Sequence, residues 1–216
     1  MSKKYEIFLF DLDGTITDSA LGITNSVMYA LKKFGIEETD RTKLYKFIGP
    51  PLTESFEKFY GFTKEQSLDG VMYYREYYHD KGIYENRVYD GLEEVLKKIN
   101  EAGKQAIVAT SKPEKYAKII IDHFHLTQYF ACVAGMEMDG GRGTKAQVIT
   151  YALKKNDITD KSNVLMIGDR EHDVIGAHEN GLDCLGILYG FGSRKEFEEA
   201  GADYIRENVE DILQFV

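Results

Sequence analysis

Tyr5-Glu6-Ile7-Phe8-Leu9-Phe10-Asp11-Leu12-Asp13-Gly14-Thr15 decides the reading of this chain. Residues 5–10 form a short apolar, β-prone run. The run stops at two carboxylates one residue apart, followed at once by Gly and Thr. Paired acids at a strand end are a poor way to build a core, because a buried charge needs a partner. They suit a hard divalent cation and attack on a phosphorus atom.

Outward from this stretch, strand-like and helical segments alternate. Further strands are expected at 105–109, 130–134, 163–167 and 183–187, with a short last one at 203–205. Helical patterns fall at 91–102, 114–125, 145–154, 173–180 and 195–200. This rhythm predicts an α/β protein with a mostly parallel sheet covered by helices on both faces. Residues 18–89 break it. Ile23, Val27, Ala30, Leu31 and Phe34, then Leu44, Phe47, Ile48, Phe56 and Phe59, lie at helical spacing. Gly35, Gly49-Pro50-Pro51, Gly61 and Gly82 punctuate them. Four short helices and no buried strand are expected there. The chain thus divides into a core domain (1–17 and 90–216) and a helical insertion (18–89). Tyr73, Tyr74, Tyr77, Tyr78 and Tyr84 read as helix packing in preference to a platform for stacking bases.

With 216 residues, 43% hydrophobic and 29% charged, the composition is that of an ordinary globular protein. The net charge of −9 argues against a nucleic-acid polymer as partner. Cys132 and Cys184 lie far apart in apolar stretches and read as reduced thiols. Met1-Ser2-Lys3-Lys4 imitates a charged leader, but the apolar run behind it contains Glu6 and ends at Asp11. No run approaches the ~18 apolar residues of a membrane span. The expected setting is the cytoplasm, with no membrane association.

In an open parallel sheet, ligands bind beyond the carboxyl ends of the strands. Four polar elements fall there: Asp11 with Asp13, Thr110-Ser111-Lys112, Asp169 with Asp173, and Lys145 behind Gly140-Gly141-Arg142-Gly143-Thr144. Taken singly, each has a bland explanation. Thr110 or Ser111 suits a helix N-cap, Asp173 complements a helix dipole, and Lys145 suits a solvated surface. Together they make chemical sense. The four aspartates carry −4 and Lys145 returns +1. Two like charges 4 Å apart repel by roughly 4 kcal/mol at an effective dielectric of 20. One Mg²⁺ cancels two of the three remaining charges, and a proton on one Asp cancels the last. Two simpler motifs fail. An EF-hand counted from Asp11 would need Gly and Glu where Ile16 and Gly22 stand, and a P-loop ending at Lys145 would need Gly at Thr144 and Ser or Thr at Ala146.

The stretch Phe8-Leu9-Phe10-Asp11-Leu12-Asp13-Gly14-Thr15-Ile16-Thr17-Asp18-Ser19 resembles the first motif of the haloacid dehalogenase-like hydrolases. Thr110 matches the second motif, Lys145 the third, and Gly168-Asp169-Arg170-Glu171-His172-Asp173 the fourth, all in family order. The resemblance implies a Rossmann-like α/β core with an inserted all-helical cap. It implies Asp11 as nucleophile and Asp13 as acid and then base. Mg²⁺ would be held by the Asp11 carboxylate, the Asp13 carbonyl and Asp169. Thr110 and Ser111 would bind the phosphoryl oxygens, and Lys145, positioned by Asp173, would balance their charge. Gly14 and Gly168 support the first and fourth motifs. Asp at position 13 favours phosphomonoester hydrolysis or phosphosugar mutation over cleavage of carbon–halogen bonds or phosphonates.

The helical cap and the Gly49-Pro50-Pro51-Leu52 turn most resemble the phosphoglycolate phosphatase branch. That branch places the turn facing the active site. Lys46 and Arg75 are the nearest cap cations to test against the substrate's far end, although each reads first as a solvated surface charge. The expected substrate is a small phosphorylated metabolite. Phosphoglycolate stands modestly ahead of a nucleoside monophosphate, and a β-phosphoglucomutase-like reaction is third. A phospho-accepting signalling module is the non-enzymatic alternative. A monomer or homodimer is expected.

Overall fold

The computed structural model describes residues 3–138 and 141–216. Met1 and Ser2 of the leader-like stretch, and Gly140 of the glycine-rich stretch before Lys145, lie outside them. The chain divides into two compact units. One is Val88–Val216 together with the N-terminal segment up to Thr17, and the other is Asp18–Arg87.

The first unit is built on a six-stranded sheet. In chain order its strands are β1 (Ile7–Phe10), β4 (Gln105–Pro113), β5 (Phe130–Met136), β6 (Val164–Gly168), β7 (Asp183–Ile187) and β8 (Tyr204–Arg206). The spatial order is β5-β4-β1-β6-β7-β8, and every pairing is parallel. β1 sits centrally, with Phe10 opposite Val108 of β4 and Ile167 of β6. Successive connections run outward from β1 in opposite directions, so the strand order reverses there. Such a reversal opens a crevice at the carboxyl ends. All of β6 is buried, as expected of a strand covered on both faces. On one face Leu9, Ile107 and Met166 pack with Val148 and Ile149 of α6 (Lys145–Lys155) and Val174 of α7 (Glu171–Glu179). Helices α4 (Leu92–Glu101), α5 (Glu114–His123) and α8 (Arg194–Ala200) complete the unit. α4 and α5 each present an apolar stripe to the interior, such as Leu92, Val95, Leu96 and Ile99 of α4, and α8 contributes Phe197.

Several boundaries differ from the sequence expectation. β4 runs to Pro113 instead of ending at 109. α7 begins at Glu171, which makes Asp173 a first-turn residue whose Oδ2 accepts the Arg170 N–H at 3.1 Å. The last strand is displaced by one residue. Two two-residue strands, β2 (Thr17–Asp18) and β3 (Arg87–Val88), pair where the chain passes between the units. Both cysteines are free thiols.

The second unit comprises α1 (Ala20–Lys33), a 3-10 stretch Arg41–Phe47, α2 (Leu52–Tyr60), and α3 (Lys64–Tyr77) running into a π turn at Tyr78–Gly82. Two of the expected short helices, α1 and α3, reach 14 residues each. α3 starts with a capping box between Thr63 and Gln66, and α2 ends on Gly61 in the left-handed region. Aromatic contacts hold the unit together. Phe34 meets Phe62 with centroids 4.6 Å apart, and Phe56 stacks on Phe62. Tyr74 stacks on Tyr78, and Tyr77 packs on Tyr29, so these tyrosines serve packing. No helix among the described residues is long and apolar enough to cross a membrane.

Candidate active site

Asp11 leaves the sheet directly beyond β1, its N–H donating to the Ile167 carbonyl of β6 at 2.9 Å. The chain then turns tightly. Thr15, Ile16 and Thr17 all donate their N–H to the Leu12 carbonyl, and Gly14 donates to the Thr17 carbonyl. Gly14 has φ +87°, and a Cβ there would lie 2.1 Å from Oδ2 of Asp169. The first acidic loop can therefore lie against the second only because residue 14 is glycine. Gly168 makes the same allowance for Asp173, whose Cγ would lie 2.1 Å from an added Cβ.

Lys145 is the first residue of α6, behind a capping box formed by Thr144 and Gln147. Its ammonium lies 2.7 Å from Asp11 Oδ1, 2.7 Å from Asp173 Oδ1 and 3.1 Å from the Ala109 carbonyl. Burial alone would lower the lysine's pKa. The Asp11 and Asp173 carboxylates outweigh that penalty and hold it above its ordinary value. Asp169 is fully buried. Its Oδ2 accepts the Phe191 N–H at 2.9 Å, while Oδ1 has no hydrogen-bond partner. Burial, then repulsion from Asp173 and Asp11, raises its pKa well above the usual carboxylate range. Asp173 is raised too, by burial first, with Lys145 opposing and Asp11 adding. Thr110 is buried within β4, and its Oγ1 accepts the Lys112 N–H at 3.2 Å. Ser111 is half-buried beside it. Neither is a helix N-cap, because Pro113 holds that position before α5.

The structure therefore gathers Asp11, Asp13, Thr110, Lys145, Asp169 and Asp173 at one sheet rim. Lys46 and Arg75 belong to the helical unit. Lys46 is exposed, with its ammonium 4.3 Å from the Phe59 ring centroid. Arg75 is half-buried on α3.

Sequence reasoning gave no role to two features. The first is Lys112, a buried lysine whose Nζ donates to Asp13 Oδ2 at 2.7 Å. It changes the charge count. Four aspartates against two lysines leave −2, a charge that one divalent cation matches. The second is the loop after β7. Tyr189 donates its hydroxyl to the Thr15 carbonyl at 3.0 Å, and Phe191 donates to Asp169. A Cβ on Gly190 would lie 2.4 Å from both the Gly14 carbonyl oxygen and Asp169 Cβ.

A hard cation fits this chemistry. One oxygen from each of Asp11, Asp169 and Asp173 lies within 4.8 Å of the others. Asp173 is committed to Lys145 and Arg170, whereas Asp169 Oδ1 is buried and unpartnered. A metal would satisfy that orphaned oxygen. A stability prediction follows from the sign of the Asp169 shift. Its folded pKa lies above the unfolded value of about 3.9, so the metal-free fold binds more protons than the unfolded chain. That contribution is full below the unfolded value and is lost as pH rises through the folded one. Protons and Mg²⁺ thus compete for this carboxylate. At ~100 Kd, Mg²⁺ is expected to raise Tm by roughly 5–10 °C at about pH 8 and by clearly less at about pH 5. Thermal scans check this, and equal shifts at both pH values would contradict it.

Comparison with known proteins agrees with the geometry. The family described as haloacid dehalogenase-like hydrolase matches residues 8–187. A 5'-nucleotidase of Pseudomonas aeruginosa is 45% identical over 89% of this chain and 87% of its own length. The tyrosine-protein kinase PtkA of Mycobacterium tuberculosis is 35% identical over 87% of this chain and 63% of its own. A phosphoglycolate phosphatase of Vibrio parahaemolyticus is 21% identical over 98% and 96%. The crystal structure of a predicted phosphatase from Clostridium acetobutylicum superposes with a TM-score of 0.94 at 47% identity, covering 98% of each chain. Sequence motifs in family order, a sheet that brings them to one rim and a match across most of the length agree: this chain belongs to the haloacid dehalogenase-like hydrolases.

Proposed function

We propose that this phosphatase hydrolyses a nucleoside monophosphate through a phosphoryl–Asp11 intermediate. The observation that carries the mechanism is the separate tethering of two neighbouring carboxylates. Asp11 is held by Lys145 and Asp13 by Lys112, each at 2.7 Å. Two acids with different partners can take different roles.

In the first step a carboxylate oxygen of Asp11 attacks phosphorus, and the bond from phosphorus to the ester oxygen breaks. Asp13 gives its proton to that leaving oxygen. In the second step water attacks the phosphorus of the acyl phosphate and loses a proton to Asp13. The bond from Asp11 to phosphorus breaks, phosphate departs, and both carboxyls return to their starting states. The Thr110 hydroxyl, the Ser111 N–H and the Lys145 ammonium bind the transferring oxygens. Asp173 fixes Lys145. The Asp11 and Asp169 carboxylates and the Asp13 carbonyl would hold Mg²⁺, which when bound supplies charge neutralisation at the phosphoryl group. The unit Asp18–Arg87 acts as the cap that selects substrate and excludes water, with Lys46 and Arg75 as candidate contacts.

The 45% identity with a 5'-nucleotidase supports a nucleoside monophosphate ahead of phosphoglycolate, whose named phosphatases share 21% and 26%. Phosphate release from AMP, UMP, phosphoglycolate and hexose phosphates tests the ranking. The highest kcat/KM is expected on a nucleotide, and a preference for phosphoglycolate would reverse the order. Isomerisation of β-glucose 1-phosphate without phosphate release would identify a mutase. Stable single phosphorylation without turnover would identify a signalling module.

A further inference from the structure

Lysine is almost never buried without a partner, and Lys112 is only 8% exposed. The backbone is built to bring it in. β4 continues past the end of β1, and its pairing with β5 shifts register between Thr110 and Pro113. A register irregularity of this kind re-aims the side chains beside it. Opposite it stands Gly135, where a Cβ would lie 2.6 Å from the Lys112 carbonyl oxygen and 2.7 Å from Glu114 Cα. No other residue type lets this segment lie so close to β5. The result is an ion pair between two side chains that are 6% and 11% exposed. The pair engages Asp13 Oδ2 alone, and Oδ1 is buried with no hydrogen-bond partner.

We propose that Lys112 is the positioning residue for Asp13: it pins one carboxylate oxygen so that the other is presented to the leaving group and then to water. Lys112 touches neither the phosphoryl group nor the ester in this scheme. It acts through Asp13, as Asp173 acts through Lys145. The inference rests on the mechanism proposed above. It adds to that mechanism a dependence on leaving group, because only a poor leaving oxygen needs the proton that Asp13 delivers.

The test compares two esters by kcat/KM, which reports steps only through the first chemical one. p-Nitrophenyl phosphate releases a stable phenolate and needs no proton. Glycerol phosphate releases an alkoxide and needs one. Lys112→Met is expected to lose about 100-fold on glycerol phosphate and less than about 5-fold on p-nitrophenyl phosphate. In an Asp13→Asn background the same change is expected to have no further effect, since Lys112 then has no carboxylate to hold. The Mg²⁺-induced rise in Tm is expected to persist. Lys112→Arg keeps the charge but moves the donor atoms, and it should discriminate between the esters in the same direction with a smaller loss. It carries the comparison if Lys112→Met does not fold. Equal losses on both esters, or none on either, would overturn the role of Lys112 and leave the mechanism standing. Wild-type protein that turns over neither ester would overturn the mechanism itself.

Discussion

Asp11→Asn is expected to abolish phosphate release while leaving the fold intact. The asparagine keeps the shape of the side chain and one oxygen acceptor for the Lys145 ammonium, which lies 2.7 Å from Asp11 Oδ1. In the proposed mechanism it removes the oxygen that attacks phosphorus. Loss of a nucleophile that works as part of a unit costs about 10⁴-fold or more in kcat. Stability should move the other way. The substitution takes one negative charge from a cluster in which burial and mutual repulsion already push Asp169 and Asp173 toward protonation. The metal-free Tm should therefore stay level or rise, and the increment from Mg²⁺ should shrink. A steady-state assay with thermal scans checks both parts. Retained turnover would place the nucleophile elsewhere, and loss of the folded state would make the rate uninformative about chemistry.

Lys145→Ala carries the second large effect, and here rate and stability should fall together. Its ammonium bridges Asp11 and Asp173 in the interior. Without it two buried carboxylates face each other uncompensated. Breaking a buried pair from one side costs roughly 3–5 kcal/mol. Removing a charge that stabilises the transferring phosphoryl group costs about 10²–10³-fold in kcat. Lys97→Ala is the control. Lys97 is an exposed residue of α4 paired with Glu101 at 3.9 Å, and its loss should fall within about 0.5 kcal/mol with unchanged kcat. Small and equal effects from both lysines would mean that Lys145 has no special place. Adding Mg²⁺ should recover part of the stability lost in Lys145→Ala, because a cation can stand near the same carboxylates, but it should not restore the rate.

How far the sequence could be read depends on the range of each interaction. β1 and its acidic turn were legible because apolar run, charge and glycine sit within eleven consecutive residues. The helices of 18–89 were legible because a buried stripe repeats every 3.6 residues. β4 was read short because Thr-Ser-Lys-Pro is weakly β-prone, and Lys112, named only as part of the polar segment beyond it, was given no partner. A signal was present all the same: Val108, Thr110 and Lys112 follow the two-residue alternation of a strand, so a longer strand puts the lysine on the face of Thr110. The loop at Tyr189, Gly190 and Phe191 left no such trace. Its glycine matters because Asp169 and Gly14, remote in sequence, press against it. The paired two-residue strands at 17–18 and 87–88 are too short for any periodicity, and the start of α7 was misplaced because Arg170 is an unusual N-cap whose N–H is satisfied by Asp173. The acids and Lys145 were found as residue types at strand ends. Their pairing, Lys145 with Asp11 and Lys112 with Asp13, required the structure.

The proposed reaction passes through a covalent bond between phosphorus and Asp11. Acid quenching during turnover of a nucleoside monophosphate, followed by peptide mapping, tests it most directly. A phosphoryl group on Asp11, appearing before the steady state and disappearing as substrate is consumed, is the predicted result. Turnover with no phosphoenzyme at any quench time, or a phosphoryl group found on a different residue, would contradict it.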